Sequence, residues 1–185
     1  MTRIVAGAAR GRRLAVPPGR GTRPTSDRTR EALFSALDAL VDLDGARVLD
    51  LYAGSGAVGL EALSRGSAHA LLVEADPRVA RVLRENAAAL GLDGAQIRTD
   101  RAERLAESTP EDPYDVVFAD PPYAVAAEEL ASVLERLHQH GWIAPGAVVV
   151  VERASRDPDW VWPTPLTPLR SRRYGEGTLW YGRAS

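Results

Sequence analysis

Between residues 46 and 152 of this 185-residue chain, short apolar runs alternate with segments of helical period, and that alternation leaves few architectures open. Arg47 to Tyr52, Ala70 to Glu74, Ala95 to Arg98, Asp115 to Asp120 and Ala147 to Glu152 are short runs bounded by Gly, Pro or Asp and read as strands. Between them, Val58 to Arg65, Pro77 to Leu90 and Ala126 to Gln139 space their apolar side chains along one helix face, and a shorter helical piece surrounds Leu105. Asp76 followed by Pro77 is a helix start, and Gly91 is a stop. Strand–helix–strand units with right-handed crossovers build a mostly parallel, doubly wound α/β sheet, whose ligands sit outside the carboxyl ends of the strands.

The two ends of the chain differ from this pattern. Pro158, Pro163, Pro165 and Pro168 mark a loop. Leu169 to Tyr174 and Thr178 to Tyr181 then flank Gly175-Glu176-Gly177, a hairpin signal, so the sheet is expected to end in an antiparallel pair. Residues 1–24 read as a small basic extension to a main domain over 25–185, with Ile4 to Ala6 and Leu14 to Val16 expected to pair as a hairpin around Gly7 to Arg13. A helix starting at Thr25, Ser26 or Asp27 carries Leu33, Leu37 and Leu40 on one face.

Charge is distributed unevenly. Residues 1–30 hold eight Arg against Asp27 alone, or +7, and the net charge of −2 then leaves −9 for the rest. A basic arm on an acidic body suits a polyanionic partner. All 23 basic residues are Arg, which suits bidentate phosphate contact. The absence of Cys excludes disulfides, thiolate zinc sites and thiol nucleophiles. His138 and His140 are two apart and do not share a helix face, and His69 is distant, so no metal site is expected. No apolar run approaches the roughly 20 residues that span a bilayer. Met1 to Arg13 carry no apolar signal core, so a cytoplasmic location is expected. No apolar stripe is left over, and a monomer is the expectation.

The first long strand runs into Gly54-Ser55-Gly56-Ala57-Val58-Gly59, a G-x-G-x-x-G loop that opens a helix. A dinucleotide can place its pyrophosphate on such a loop, and S-adenosylmethionine can use a similar one. Glu74 stands about 20 residues further on, where an acid holds ribose hydroxyls in either case, and so separates nothing. Asp50 separates them, because a carboxylate beside the loop repels a diphosphate and attracts an α-ammonium. Two unit charges ~4 Å apart interact by about 4 kcal/mol at an effective dielectric near 20. Asp100, after the third of these strands, is placed to accept a hydrogen bond from an adenine amino group, with backbone near Arg101 and Ala102 along the adenine edge. Tyr52, Ala53, Gly54, Ser55, Gly56 and Ala75 complete the candidate site for S-adenosylmethionine.

The fourth of these strands ends in Asp120-Pro121-Pro122-Tyr123. Two prolines fix the backbone and remove two N–H donors, which leaves carbonyl oxygens near the turn free to accept hydrogen bonds. With the Asp120 carboxylate it forms a cluster suited to a substrate NH₂ group. An exocyclic amine on a nucleobase is a poor nucleophile, because its lone pair is delocalised. Acceptors gripping its hydrogens orient it and favour a pyramidal nitrogen. Tyr123 can stack on the base, a contact worth about 1–3 kcal/mol in single-strand recognition. Ser55 lies in Ala-Gly-Ser-Gly-Ala, which is not a hydrolase elbow.

Leu49 to Glu61 resembles motif I of class I S-adenosylmethionine-dependent methyltransferases, and Asp120 to Tyr123 resembles the tetrapeptide of enzymes that methylate adenine N6, cytosine N4, guanine N2 or protein glutamine. Arg3-Ile4-Val5-Ala6-Gly7, Arg10 to Leu14, Arg23 to Phe34, Arg173-Tyr174-Gly175 and Thr178 are similar to the RsmD family, and the likeness spans nearly the whole chain. The resemblance implies a Rossmann-like class I methyltransferase fold and transfer of a methyl group to guanine N2 at position 966 of bacterial 16S ribosomal RNA, in an assembled or assembling 30S subunit. It implies that Arg23 and Thr25 lie over the cofactor, and that Arg3, Arg10, Arg12, Arg13, Arg20 and Arg28 contact RNA. The alternatives are a DNA or protein amino-group methyltransferase, a non-catalytic RNA-binding assembly factor and a nicotinamide oxidoreductase.

Overall fold

The computed structural model describes residues 2–18 and 25–185. Two short strands open the chain, β1 (Thr2–Arg3) and β2 (Arg13–Leu14), followed by α1 (Asp27–Leu40). The main sheet contains β3 (Arg47–Leu51), β4 (His69–Glu74), β5 (Ala95–Thr99), β6 (Tyr114–Ala119), β7 (Ile143–Ala154), β8 (Thr167–Tyr174) and β9 (Gly177–Arg183). Four helices lie between its strands: α2 (Ala57–Ser64), α3 (Pro77–Leu90), α4 (Ala102–Ala106) and α5 (Ala127–Gln139). Strand order is β5-β4-β3-β6-β7-β9-β8. All pairs from β5 to β7 are parallel, and β9 runs antiparallel to both β7 and β8. The expected sheet and its antiparallel ending are both present.

Successive strand residues point to opposite faces, and both faces of the central strands are covered, so the strands read as continuous apolar runs. Val48, Leu72, Val116, Phe118, Val148 and Val150 pack with α1, α2 and α3 on one face, together with Ile4 and Leu14 of the arm. Leu49, Leu51, Val73, Val117, Val149 and Val151 pack with α4 and α5 on the other. Ser26 caps α1, its side chain accepting the Thr29 N–H, and Asp76 caps α3, accepting the Arg78 N–H. Gly91 ends α3 in the left-handed conformation. Among the described residues no helix is long and apolar enough to cross a membrane.

Several boundaries differ from the sequence expectation. Pro168, expected in the loop, lies inside β8, where the edge of the sheet and an irregular register between Pro168 and Arg170 tolerate its missing N–H. The arm's strands are Thr2–Arg3 and Arg13–Leu14, earlier than the apolar run Ile4 to Ala6. The Val5 and Ala6 amides instead donate to the buried carboxylate of Glu61, at 2.8 and 3.0 Å, which ends the ladder. β7 begins at Ile143 rather than Ala147, because Pro145 and Gly146 sit in an irregularity of its pairing with β6 rather than before the strand.

Candidate active site

The sheet order reverses between β3 and β6, since β4 and β5 lie to one side and β7 to the other. Helices diverge at such a point and leave a crevice at the carboxyl ends of the strands. A cleft of about 370 Å³ opens there. Register aligns its floor: Leu51 pairs with Ala119, and Ala119 with Val151, so Tyr52 and Asp120, just past the ends of β3 and β6, stand level with Glu152 of β7.

The loop after β3 is shaped by backbone that L side chains rarely adopt. Tyr52 has φ 58°, Gly54 φ 58° and Gly56 φ 90°. A Cβ on Gly56 would lie 2.3 Å from Leu83 Cδ1, so only glycine fits between the loop and α3. Gly56 therefore supports the loop from behind, whereas Tyr52, Ala53, Gly54 and Ser55 line the cleft. Glu74 braces the loop from β4, with Oε1 accepting the Gly54 N–H (3.0 Å) and Oε2 the Asp76 N–H (3.0 Å).

Asp50 is buried, and its Oδ2 accepts the Gly59 N–H of α2 at 2.9 Å. Burial pushes its pKa up to about 7, against the Gly59 hydrogen bond, and the negative charge of Glu74 adds to the rise. Asp100 lines the cleft with Ala75, Arg101 and Ala102. Its carboxylate pairs with Arg98 at 3.2 Å and accepts the Arg101 N–H at 2.9 Å. Arg101, not Asp100, occupies the cap position of α4.

Asp120, Pro121, Pro122 and Tyr123 form the wall between β6 and α5. The Asp120 pKa lies well above the ordinary carboxylate range, through burial first and then the charges of Glu152 and Asp50, with Arg153 opposing. The Pro122 carbonyl accepts the Val125 N–H at 3.0 Å. Tyr123 is 62% exposed, with the Arg156 guanidinium 5.7 Å from its ring centre. The hydroxyl of Tyr52 is buried without a hydrogen-bond partner among the described residues, and burial raises its pKa.

Thr25 lines the cleft beside Val16 and Pro17, and its carbonyl accepts Arg30 Nη1 at 2.9 Å. Arg20 and Arg23 lie outside the described residues. Arg10, Arg12, Arg13 and Arg28 are exposed, and Arg12 Nη2 donates to the Ala89 carbonyl at 2.7 Å. Arg3 pairs with Asp27 at 3.0 Å. Motif reading did not single out Glu103, Glu152 or Arg153, all of which line the cleft. The last two lie near the carboxyl end of β7, the strand next to β6, and the rule that ligands sit at carboxyl ends of strands was the signal for them.

This strand order, with a glycine loop after β3 and an Asp-Pro-Pro-Tyr corner after β6, defines a class I methyltransferase. The family model described as "Conserved hypothetical protein 95" matches residues 2–183. Ribosomal RNA small subunit methyltransferase D of Escherichia coli K12 is 44% identical over 151 residues, covering 81% of this chain and 73% of that protein. The Haemophilus influenzae protein of the same name is 35% identical over 176 residues, covering 94% of this chain and 89% of its own. A solved structure of a hypothetical protein from Thermus thermophilus has a TM-score of 0.80 at 36% identity, covering 98% of both chains. The chain belongs to this family, the RsmD family of methyltransferases.

Proposed function

We propose that the protein transfers a methyl group from S-adenosylmethionine to the exocyclic N2 amine of a guanine in small-subunit ribosomal RNA, by family resemblance guanine 966 of 16S RNA in an assembled or assembling 30S particle. The observation that carries this reading is one cleft walled on one side by the Gly54 loop, Glu74 and Asp100, and on the other by Asp120 to Tyr123. Names of relatives that act on ribosomal RNA support the substrate class.

The donor set suits the cofactor's charge. Asp50, Glu74 and Asp100 would face an ammonium, ribose hydroxyls and an adenine amino group, and among the described residues no basic side chain lines the loop itself to receive a diphosphate. When bound, S-adenosylmethionine supplies an electrophilic sulfonium methyl. Thr25, Val16 and Pro17 would cover it and exclude water. The Asp120 carboxylate and the proline carbonyls of the corner, of which that of Pro122 already accepts the Val125 N–H, would be the acceptors there. They hold the two hydrogens of the target amine and aim its lone pair into the cleft. Asp120 opposes the positive charge that builds on nitrogen, and its raised pKa makes it a better base for the proton released there. Tyr123 offers its exposed ring to the base. Among the arm's residues, Arg10, Arg12, Arg13 and Arg28 are the exposed cations available to phosphates, with Arg3 and Arg20 in the same basic segment.

Nucleoside mass analysis of unmodified small-subunit RNA, incubated with the protein and isotopically labelled donor, tests this reading. Labelled N2-methylguanosine is expected. Label in adenine, cytosine or protein, or none at all, overturns it.

A further inference from the structure

The carboxyl-terminal hairpin carries a second basic surface that the N-terminal arm does not explain. Residues 153–185 hold six Arg against three acids, so with +7 in residues 1–30 the stretch from 31 to 152 carries −12. Net positive charge is thus found only at the two ends of the chain, and both ends reach the cleft. Thr25, Val16 and Pro17 border it on one side, and Arg153, Asp157, Glu176 and Gly177 on another.

β8 is the outermost strand of the sheet, and Thr167 to Arg173 are all exposed. Arg170 pairs with Tyr181 and Arg172 with Leu179, so both Arg side chains stand on the sheet face that carries α1 and the arm. The Arg170 guanidinium lies 5.4 Å from the Tyr181 ring centre, which holds it against the sheet. The strip is continuous with the catalytic corner. Arg156 lies over Tyr123, and the neighbouring Ser155 donates its N–H to the Glu176 carbonyl (2.7 Å) at the hairpin tip. Arg173 Nε donates to the Gly175 carbonyl there at 3.0 Å. From Tyr123 the path runs through Arg156 and the tip to Arg172 and Arg170.

We propose that β8 is a second RNA-contact surface, on which Arg170 and Arg172 bind backbone phosphates flanking the target base, across the cleft mouth from the arm. This rests on the ribosomal RNA reading above. Charge complementarity selects the partner: a row of exposed guanidiniums beside a base-sized cleft fits a phosphodiester backbone. Arg on an edge strand also blocks sheet-to-sheet pairing, but that guarding role needs no RNA and makes a different prediction.

The test compares wild type with the double variant Arg170→Gln/Arg172→Gln, using deproteinised small-subunit RNA and unmodified small subunits as probes. Adenosylhomocysteine binding and kcat at saturating RNA are expected to be unchanged. KM for RNA should rise on the order of tenfold, and the slope of log affinity against log salt should flatten by about 0.7 to 0.9 per lost phosphate contact. Arg170→Lys/Arg172→Lys should restore the slope. A Gln variant with unchanged KM and slope overturns the proposal and leaves an edge guard only. Should the Gln variant aggregate, wild-type protein is cross-linked to the same RNA and mapped by mass spectrometry. Cross-links within residues 167–176 are expected, and cross-links confined to the arm overturn it. Wild type that neither binds nor methylates the RNA removes the functional reading as well, whereas normal methylation with an indifferent β8 removes only this inference.

Discussion

Asp50 and Asp120 are carboxyls held above their ordinary range by burial and by nearby acids, yet the proposed function gives them different partners. Asp50 has a pKa near 7 in the folded chain against 3.8 for an unperturbed Asp. Between those values the folded state keeps a proton that the unfolded chain has released. Without cofactor, the protein therefore loses stability as pH rises through this window, and Asp50→Asn should flatten the loss in melts across it. A cofactor ammonium favours the carboxylate, so adenosylhomocysteine should bind more tightly at about pH 8 than at about pH 6 and release a proton on binding. Titration calorimetry in buffers of different ionisation heat checks this, and heats independent of buffer would contradict it. For Asp120, Asp120→Asn should leave adenosylhomocysteine affinity within about threefold while lowering methyl transfer by about 10²–10³, the scale of one lost charge-stabilising contact. The acid limb of wild-type kcat against pH should lie above the ordinary carboxylate range, because the Asp120 pKa is raised.

Helix α2 connects the cofactor loop to the arm through Glu61 and Ser64, whose Oγ accepts the Ala9 N–H and donates to the Ala6 carbonyl. Glu61 is fully buried and accepts from Val5 N–H, Ala6 N–H, Arg30 Nε (3.3 Å) and Arg65 Nε (2.9 Å). Arg30, also fully buried, donates in turn to the carbonyls of Thr25 and Arg3 and to Asp27. Glu61→Gln leaves the Arg30 guanidinium short of a buried counter-charge and should cost about 3 kcal/mol or more in urea unfolding. Proteolysis within residues 3–18 should accelerate in the same variant, and an arm as resistant as wild type would contradict the tie. No local pattern announced this hub, because Glu61 sits in an apolar helix and its partners in the arm and α1 lie 31 to 56 residues away. By contrast, α3 was legible to its ends, since Asp76, Pro77 and Gly91 write both caps into adjacent residues. The early start of β7 was not, because Pro145-Gly146 ordinarily marks a turn and here sits inside the strand.

Over the whole molecule, the parallel sheet was legible because burial on both faces gives each central strand an unbroken apolar run. The candidate residues that sequence picked out stand beside strand ends, and the topology gathers most of them around one cleft. Glu152, Arg153 and Arg156 escaped notice because their neighbours come from the pairing of β6 with β7, which no local spacing encodes. Charge at the two ends of the chain sets the long-range behaviour. With Arg10, Arg12, Arg13 and Arg28 exposed on the arm side, log affinity for small-subunit RNA should fall with log salt at a slope of about −3 or steeper. Adenosylhomocysteine affinity should change far less over the same salt range, and a flat RNA response would contradict an electrostatic grip. The whole account depends on where the methyl donor sits relative to the proline corner. A crystal structure with adenosylhomocysteine measures that directly: the adenosyl group should lie between Glu74 and Asp100, with its sulfur facing Asp120. An adenosyl group seated elsewhere, or a sulfur turned away from Asp120, would contradict it.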